Sequence, residues 1–240
     1  MTASDTVETS EQNGLNGFNG LHGGLAVAML IHKMRTLVPA HVDLVAVTSR
    51  FIRPLAWPID VDAFVVRNGA TVTIARASAS SASGISVEAT ATFGTGKSRD
   101  TPTLAPEMPT GIVSRAEATV FVIPPEFVPI SQRLEIRAAT NELPYSGTAD
   151  AVLCGWVRLR DDVPAGDERI AILADSLAPS YTALLTELKA VPTVEMSVQL
   201  AAGGADSTFD WVLILARTTS ADAHGFIRET IDMWTEGGQY

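Results

Sequence analysis

The pattern of hydrophobic and polar positions divides the first half of the chain into one helix and several strands. Between Leu25 and Leu37 apolar residues recur every three to four positions, and Pro39 follows, which predicts a helix. Stretches rich in β-branched residues come next, at 42–52, 57–69, 70–80 and 84–94. Asn-Gly and Ser-Gly pairs mark turns between them, so this half predicts a helix followed by about four antiparallel strands.

The second half repeats this plan. Residues 132–140 and 149–162 have the pattern of strands, and residues 166–188 have that of a helix that Pro179 must kink or end. Three more strand-like stretches follow, at 193–201, 209–220 and 224–236. A counterpart of the last strand of the first half would lie beyond Tyr240, so the second unit is expected to lack that strand.

The chain is therefore expected to be an α+β protein made of two similar units. Six prolines between Gly96 and Pro129 mark a connector, within which residues 118–123 could add an edge strand. The expected division is a disordered tail at 1–12, a first unit at 13–97, a linker at 98–129 and a second unit at 130–240.

Composition narrows the function classes. With 46% hydrophobic residues and a net charge of −10, the chain can bury a core but does not suit a nucleic-acid backbone. Neither a signal peptide nor a membrane span is evident, so a cytoplasmic protein is expected. Cys154, the one cysteine, lies in an apolar run typical of a core strand, and the four histidines lack the spacing of a metal site.

Several segments resemble the type II acyl-CoA thioesterase family. In the first half they are "GLHGGLAVAML", "TSRFIRPLAWPIDVDAFVVRNGATVTIARASA" and "VEATATF". In the second half they are "GWVRLRDD", "ILADSLAPS" and "PTVEMSVQL". The resemblance covers most of residues 20–240 and implies a double hot-dog fold, in which two long antiparallel sheets each wrap a central helix.

The resemblance also implies an activity, the hydrolysis of an acyl-CoA thioester by an oriented water molecule. Carried over residue by residue, the family's catalytic Asp corresponds to Asp175 and its Thr or Ser to Thr193. Its Gln on the final strand has no counterpart up to Tyr240. No cofactor is implied, because coenzyme A is part of the substrate, and the partner expected is the acyl-CoA itself.

The residues themselves add candidates for substrate binding. His22, Gly23 and Gly24 stand where the first helix begins, and N–H groups at a helix start lack partners and attract negative charge. Glycine lets a thioester or phosphate approach that backbone closely. Arg53 is a candidate contact for the phosphates of coenzyme A. The alternatives are a flexible loop at the glycines, a polar helix-start residue at His22 and a solvated strand face at Arg53.

Other functions stay open on the sequence alone. For Asp175 the alternative is a solvent-facing or capping residue, and for Thr193 an ordinary strand-initiating residue. A non-catalytic hot-dog module that binds acyl-CoA or another lipid is the alternative function. A hot-dog dehydratase or hydratase would need an Asp-His or Glu-His pair, and neither predicted helix contains a convincing one. A homo-oligomer is also expected.

Overall fold

The computed structural model describes residues 4–7, 12–96, 102, 104–201 and 209–240. Two α-helices lie within this part of the chain, α1 (Gly23–Arg35) and α2 (Asp167–Ala174). The strands are β1 (Ser4–Val7), β2 (Asp43–Phe51), β3 (Ile59–Asn68), β4 (Val72–Ser81), β5 (Gly84–Gly94), β6 (Thr119–Phe121), β7 (Leu134–Ala138), β8 (Val152–Leu159), β9 (Glu195–Gln199), β10 (Val212–Ala221) and β11 (Ile227–Thr235). Short 3₁₀ helices lie at Gln12–Leu15, Pro129–Arg133 and Ser180–Leu184.

The strands form two antiparallel sheets. The first has the order β1-β3-β4-β5-β2-β9, and the second has the order β11-β10-β8-β7-β6. Along β3 and β4 every second side chain at the start of the strand is buried, as expected for sheets with one face against a core. Two such sheets with two helices confirm the α+β prediction.

Strand β9 links the two halves. It follows α2 in the chain, yet it pairs with β2 of the first sheet, with Ala46 opposite Gln199 and Arg50 opposite Glu195. In the first sheet β5 lies between β4 and β2, whereas no described strand lies between β11 and β9. The expected absence of a last strand in the second unit stays a prediction.

The two helices run antiparallel inside one continuous hydrophobic core. α1 buries Val27, Leu30, Ile31 and Met34, and the same core includes Leu173 of α2 and residues of both sheets. Where α1 ends and α2 begins, Arg35 Nε donates to Asp167 Oδ2 at 2.8 Å. Each helix therefore meets the other at both ends, which fixes how they cross.

The linker covers the outer face of the second sheet. Trp156 Nε1 donates to the Val113 carbonyl oxygen at 3.0 Å, and Trp234 Nε1 donates to the Pro106 carbonyl oxygen at 2.9 Å. These indoles belong to a second hydrophobic cluster centred on Trp211 and Leu213. The predicted edge strand inside the linker is confirmed as β6. The linker is thus part of the packed structure as well as a connector.

The structure departs from the expected boundaries at two places. Residues 1–12 were expected to be disordered, but β1 pairs with β3, where Val7 lies opposite Ile59. The backbone groups along the edge of β3 offer a template for this pairing. The predicted helix at 166–188 is interrupted: α2 ends at Ala174, Pro179 follows five residues later, and a 3₁₀ helix starts after it at Ser180–Leu184.

Candidate active site

The N-terminus of α1 and the C-terminus of α2 meet at Asp175, the residue that ends α2. The Gly24 N–H donates to Asp175 Oδ2 at 2.7 Å. The first N–H groups of a helix have no partner within the helix and carry partial positive charge, so they stabilise a carboxylate. Asp175 is thereby held at the start of the other helix, with its side chain one-quarter exposed.

His22 caps α1 and also contacts Asp175. Its Nδ1 accepts the Leu25 N–H at 3.3 Å, and its Nε2 lies 2.8 Å from the Asp175 carbonyl oxygen. The Nε2 atom is 3.5 Å from Asp175 Oδ2. His22 is buried, and its predicted role in binding substrate stays a prediction. The sequence showed no Asp-His pair within either helix, and the structure forms one between the two helices.

Gly23 and Gly24 permit this close approach. A Cβ at Gly24 would lie 2.6 Å from the Ala171 carbonyl oxygen, and a Cβ at Gly23 would lie 2.8 Å from Asp175 Oδ2. The same Cβ at Gly23 would lie 3.3 Å from the Phe51 ring. Gly24 uses its N–H on Asp175, while the Gly23 N–H has no acceptor among the described residues. Gly23 therefore keeps a backbone donor that is unused among the described residues, one position before the N–H that binds Asp175.

These helix ends line a cleft of about 2200 Å³. Its wall includes His22, Gly23, Phe51 and Asp175 at the helix ends. Much of the remaining wall is apolar, with Ile170, Leu177, Leu185, Met196 and Val198 among its residues. The cleft therefore combines the Asp175 carboxylate, and the adjacent Gly23 N–H that has no acceptor among the described residues, with a surface that suits a hydrocarbon chain.

Comparison with protein families decides what kind of chain this is. The profile of the acyl-CoA thioesterase C-terminal domain matches residues 106–240, more than half of the chain, and that of the N-terminal domain matches residues 14–94. The chain belongs to the acyl-CoA thioesterase family. No curated protein sequence gives a significant match.

Solved structures place this acyl-CoA thioesterase family member among hot-dog proteins. A conserved protein of unknown function with a hot-dog fold from Alicyclobacillus acidocaldarius has a TM-score of 0.82 and 21% identity, over 99% of this chain and 88% of that one. A tesB protein of Mycobacterium avium subs paratuberculosis has a TM-score of 0.72 and 19% identity, over 99% of this chain and 88% of that one. An acyl-CoA thioesterase II of Mycobacterium marinum has a TM-score of 0.66 and 17% identity, over 96% of this chain and 92% of that one. The predicted double hot-dog fold is confirmed.

The structure does not bring every predicted site residue into contact. Thr193 lies two residues before β9 with an exposed side chain, and it lines the cleft without a hydrogen bond to Asp175 in the described part of the chain. Arg53 is exposed after the end of β2, where its guanidinium donates to the Ser83 carbonyl oxygen. The roles of both residues stay predictions.

Glu229, on β11, is a cleft carboxylate that sequence reasoning missed in this thioesterase family member. It accepts from both the backbone N–H and the hydroxyl of Ser180, and the Ser180 Oγ lies 2.8 Å from Thr218 Oγ1. Burial raises the pKa of Glu229, hydrogen bonds from Ser180 lower it, and the charge of Asp175 raises it further. In the sequence Glu229 is one acid in an alternating strand pattern, which signals only a solvated position.

Two other chemistries find little support in the described residues of this thioesterase family member. Cys154 is buried in the second sheet, and burial raises the pKa of its thiol to about 11, so it is a core residue as expected. Among the described residues no group of three or more His, Cys, Asp or Glu side chains could hold a metal ion. No helix of the described residues is long and apolar enough to cross a membrane.

Proposed function

We propose that this chain hydrolyses an acyl-CoA thioester to free coenzyme A and a carboxylic acid, with Asp175 as the group that orients and deprotonates the attacking water. One observation carries the proposal. The Gly24 N–H fixes one oxygen of the Asp175 carboxylate, and the adjacent Gly23 N–H is left without an acceptor among the described residues. A base and an oxyanion donor thus stand side by side in one cleft.

Each of these groups has a step to perform. Asp175 Oδ1 takes a proton from water as the water oxygen attacks the thioester carbonyl carbon. Negative charge then develops on the carbonyl oxygen, where the Gly23 N–H donates a hydrogen bond to it. The carbon–sulfur bond breaks when the tetrahedral intermediate collapses, and the coenzyme A sulfur leaves as thiolate or takes up the proton. No covalent enzyme intermediate is needed.

Two further residues are proposed to contact the substrate or the water. Thr193 lines the same cleft, and its hydroxyl would bind the attacking water once the substrate is in place. Arg53 spends one N–H on the Ser83 carbonyl oxygen, and a guanidinium carries five N–H donors. Its remaining donors are proposed to bind the phosphates of coenzyme A at the edge of the cleft.

The test is release of free thiol from a series of acyl-CoA esters of increasing chain length. Asp175→Asn is expected to lower kcat by about 10²–10⁴-fold, the usual contribution of a general base. Asp162→Asn is the matched control, because Asp162 is exposed and lies outside the cleft. Full activity of Asp175→Asn alongside an unchanged Asp162→Asn would remove Asp175 from the mechanism.

A non-catalytic acyl-CoA or lipid-binding module is the alternative. It is favoured by Thr193, which makes no hydrogen bond to Asp175 in the described part of the chain. Calorimetric titration with a thioether analogue of acyl-CoA separates the two functions. Saturable binding of the analogue without release of coenzyme A from any ester supports the module, and turnover supports the enzyme. A cytoplasmic location and a homo-oligomeric state stay predictions from the sequence.

A further inference from the structure

We infer that His22 is a positioning residue for the proposed hydrolysis, which holds the backbone and carboxylate of Asp175 at the start of α1 and takes no part as a base. This inference rests on the proposed function. It replaces the expectation that His22 binds substrate. The bonds of both ring nitrogens and of the flanking backbone support it.

The two hydrogen bonds of the imidazole fix its tautomer. The Leu25 N–H can only donate, so Nδ1 must carry a lone pair in order to accept it at 3.3 Å. The proton of the neutral ring is therefore on Nε2, which donates to the Asp175 carbonyl oxygen at 2.8 Å. Both nitrogens are engaged, so neither is free to abstract a proton. A dehydratase-type base at His22 would have to break one of these bonds.

The backbone around His22 is tied down on both sides. The Leu21 N–H donates to the Leu55 carbonyl oxygen at 2.8 Å, and the His22 N–H donates to the Leu15 carbonyl oxygen at 3.2 Å. The ring thus connects the first turn of α1 to Asp175 at the end of α2 through one hydrogen bond on each side. Because the Gly24 N–H holds the Asp175 carboxylate within the same unit, movement of the Asp175 backbone would change the direction of its free oxygen.

Two isosteric substitutions separate the two bonds. In His22→Asn the side-chain oxygen replaces Nδ1 and keeps the helix cap, which Asn forms well, but nothing reaches Asp175. In His22→Gln the amide nitrogen replaces Nε2 and keeps the bond to Asp175 while the cap is lost. We expect His22→Asn to lower kcat by about 10–100-fold with little change in KM, as displacement of a catalytic group by about 1 Å does. We expect His22→Gln to lose less than about tenfold in kcat although it unfolds more readily.

The pH–rate profile and NMR spectra complete the test. His22→Gln should keep the limbs of the wild-type profile, and long-range ¹H–¹⁵N spectra should show His22 protonated at Nε2. The Gly24 amide proton should move upfield in His22→Asn but not in His22→Gln. An active His22→Asn, the loss of one pH limb in His22→Gln or a proton on Nδ1 would overturn the inference. If the wild type releases no coenzyme A, the proposed function fails, and the two NMR readouts still decide whether His22 orients Asp175.

Discussion

Replacing Gly24 by alanine tests whether the missing side chain is what lets α1 and α2 meet. A Cβ at this position would lie 2.6 Å from the Ala171 carbonyl oxygen, 3.0 Å from Cα of Ile172 and 2.9 Å from Cβ of Asp175. Two of these atoms are backbone of α2, so no flexible side chain can move aside. The helices must separate, which also lengthens the bond from the Gly24 N–H to the Asp175 carboxylate.

The expected cost in unfolding free energy follows from these contacts. Overpacking costs about 1–3 kcal/mol, and loss of a hydrogen bond to a charged group costs about 1.5–3 kcal/mol. The better helix propensity of alanine offsets at most ~1 kcal/mol. The net loss is therefore about 1.5–6 kcal/mol, a fall in Tm of roughly 3–24 °C for a chain of this size.

Thermal unfolding followed by circular dichroism measures this loss. Gly14→Ala is the matched control, because a Cβ there meets nothing within 4 Å, and its Tm should change by no more than ~2 °C. The Gly24→Ala variant should also lose thioesterase activity at temperatures where it is still folded, because Asp175 is displaced. A Gly24→Ala protein that melts within ~2 °C of the wild type would refute the argument from close approach.

Three further predictions concern the second sheet. Trp156→Phe leaves the Val113 carbonyl oxygen without its donor and should cost about 1–2 kcal/mol in urea unfolding. Trp57→Phe removes an indole N–H that has no partner among the described residues, and it should cost less. Cys154, whose pKa burial raises to about 11, should react with a thiol reagent at pH 8 only after unfolding, and reaction in the native state would contradict its burial. Burial raises the pKa of Glu135, but hydrogen bonds and charge from Arg137 and Arg158 lower it by more, so the net shift is downward. The stability that Glu135 contributes should be complete above the unfolded pKa of about 4.3 and should be lost as pH falls through the lower folded pKa. Glu135→Gln should flatten the dependence of the unfolding free energy on pH in acid titrations.

Local sequence patterns predicted the elements of the fold well. Apolar spacing placed a helix at 25–37, and α1 runs over Gly23–Arg35. Pro179 correctly marked an end to the second helical segment, since a proline within a helix removes a hydrogen bond and clashes with the preceding turn. These features depend on neighbours within a few residues, so the sequence contains all that is needed to predict them.

Partnerships across the chain could not be predicted in the same way. His22 and Asp175 are 153 positions apart, and neither residue carries a local signal that it meets the other. The pairing of β9 with β2 likewise depends on where α2 delivers the chain. Glu229 is half-buried and its carboxylate accepts from Ser180, which is 49 positions away in the chain, so an alternating strand pattern gave no reason to single it out.

The outer face of the second sheet did carry a usable signal. The stretch around Cys154 and Trp156 is apolar at nearly every position, which is typical of a strand covered on both faces. An antiparallel strand with one face in solvent would alternate, so the pattern indicates that another segment covers the second face, and the proline-rich linker does so. The linker also has main-chain carbonyl groups that can accept from indoles, and Val113 and Pro106 do so.

The glycines at the start of α1 are best explained by what they exclude. A helix can begin with any good capping residue, so Gly23 and Gly24 are not needed to form α1 itself. They are needed because α2 approaches so closely that a Cβ at either position would lie within 3 Å of an atom of Asp175 or α2. That approach is also what brings a carboxylate to a helix N-terminus and leaves one N–H beside it. Packing and the proposed chemistry therefore impose the same requirement on these two positions. A substitution that adds a side chain at Gly23 but leaves the crossing of α1 and α2 unchanged should separate the chemical requirement from the packing requirement.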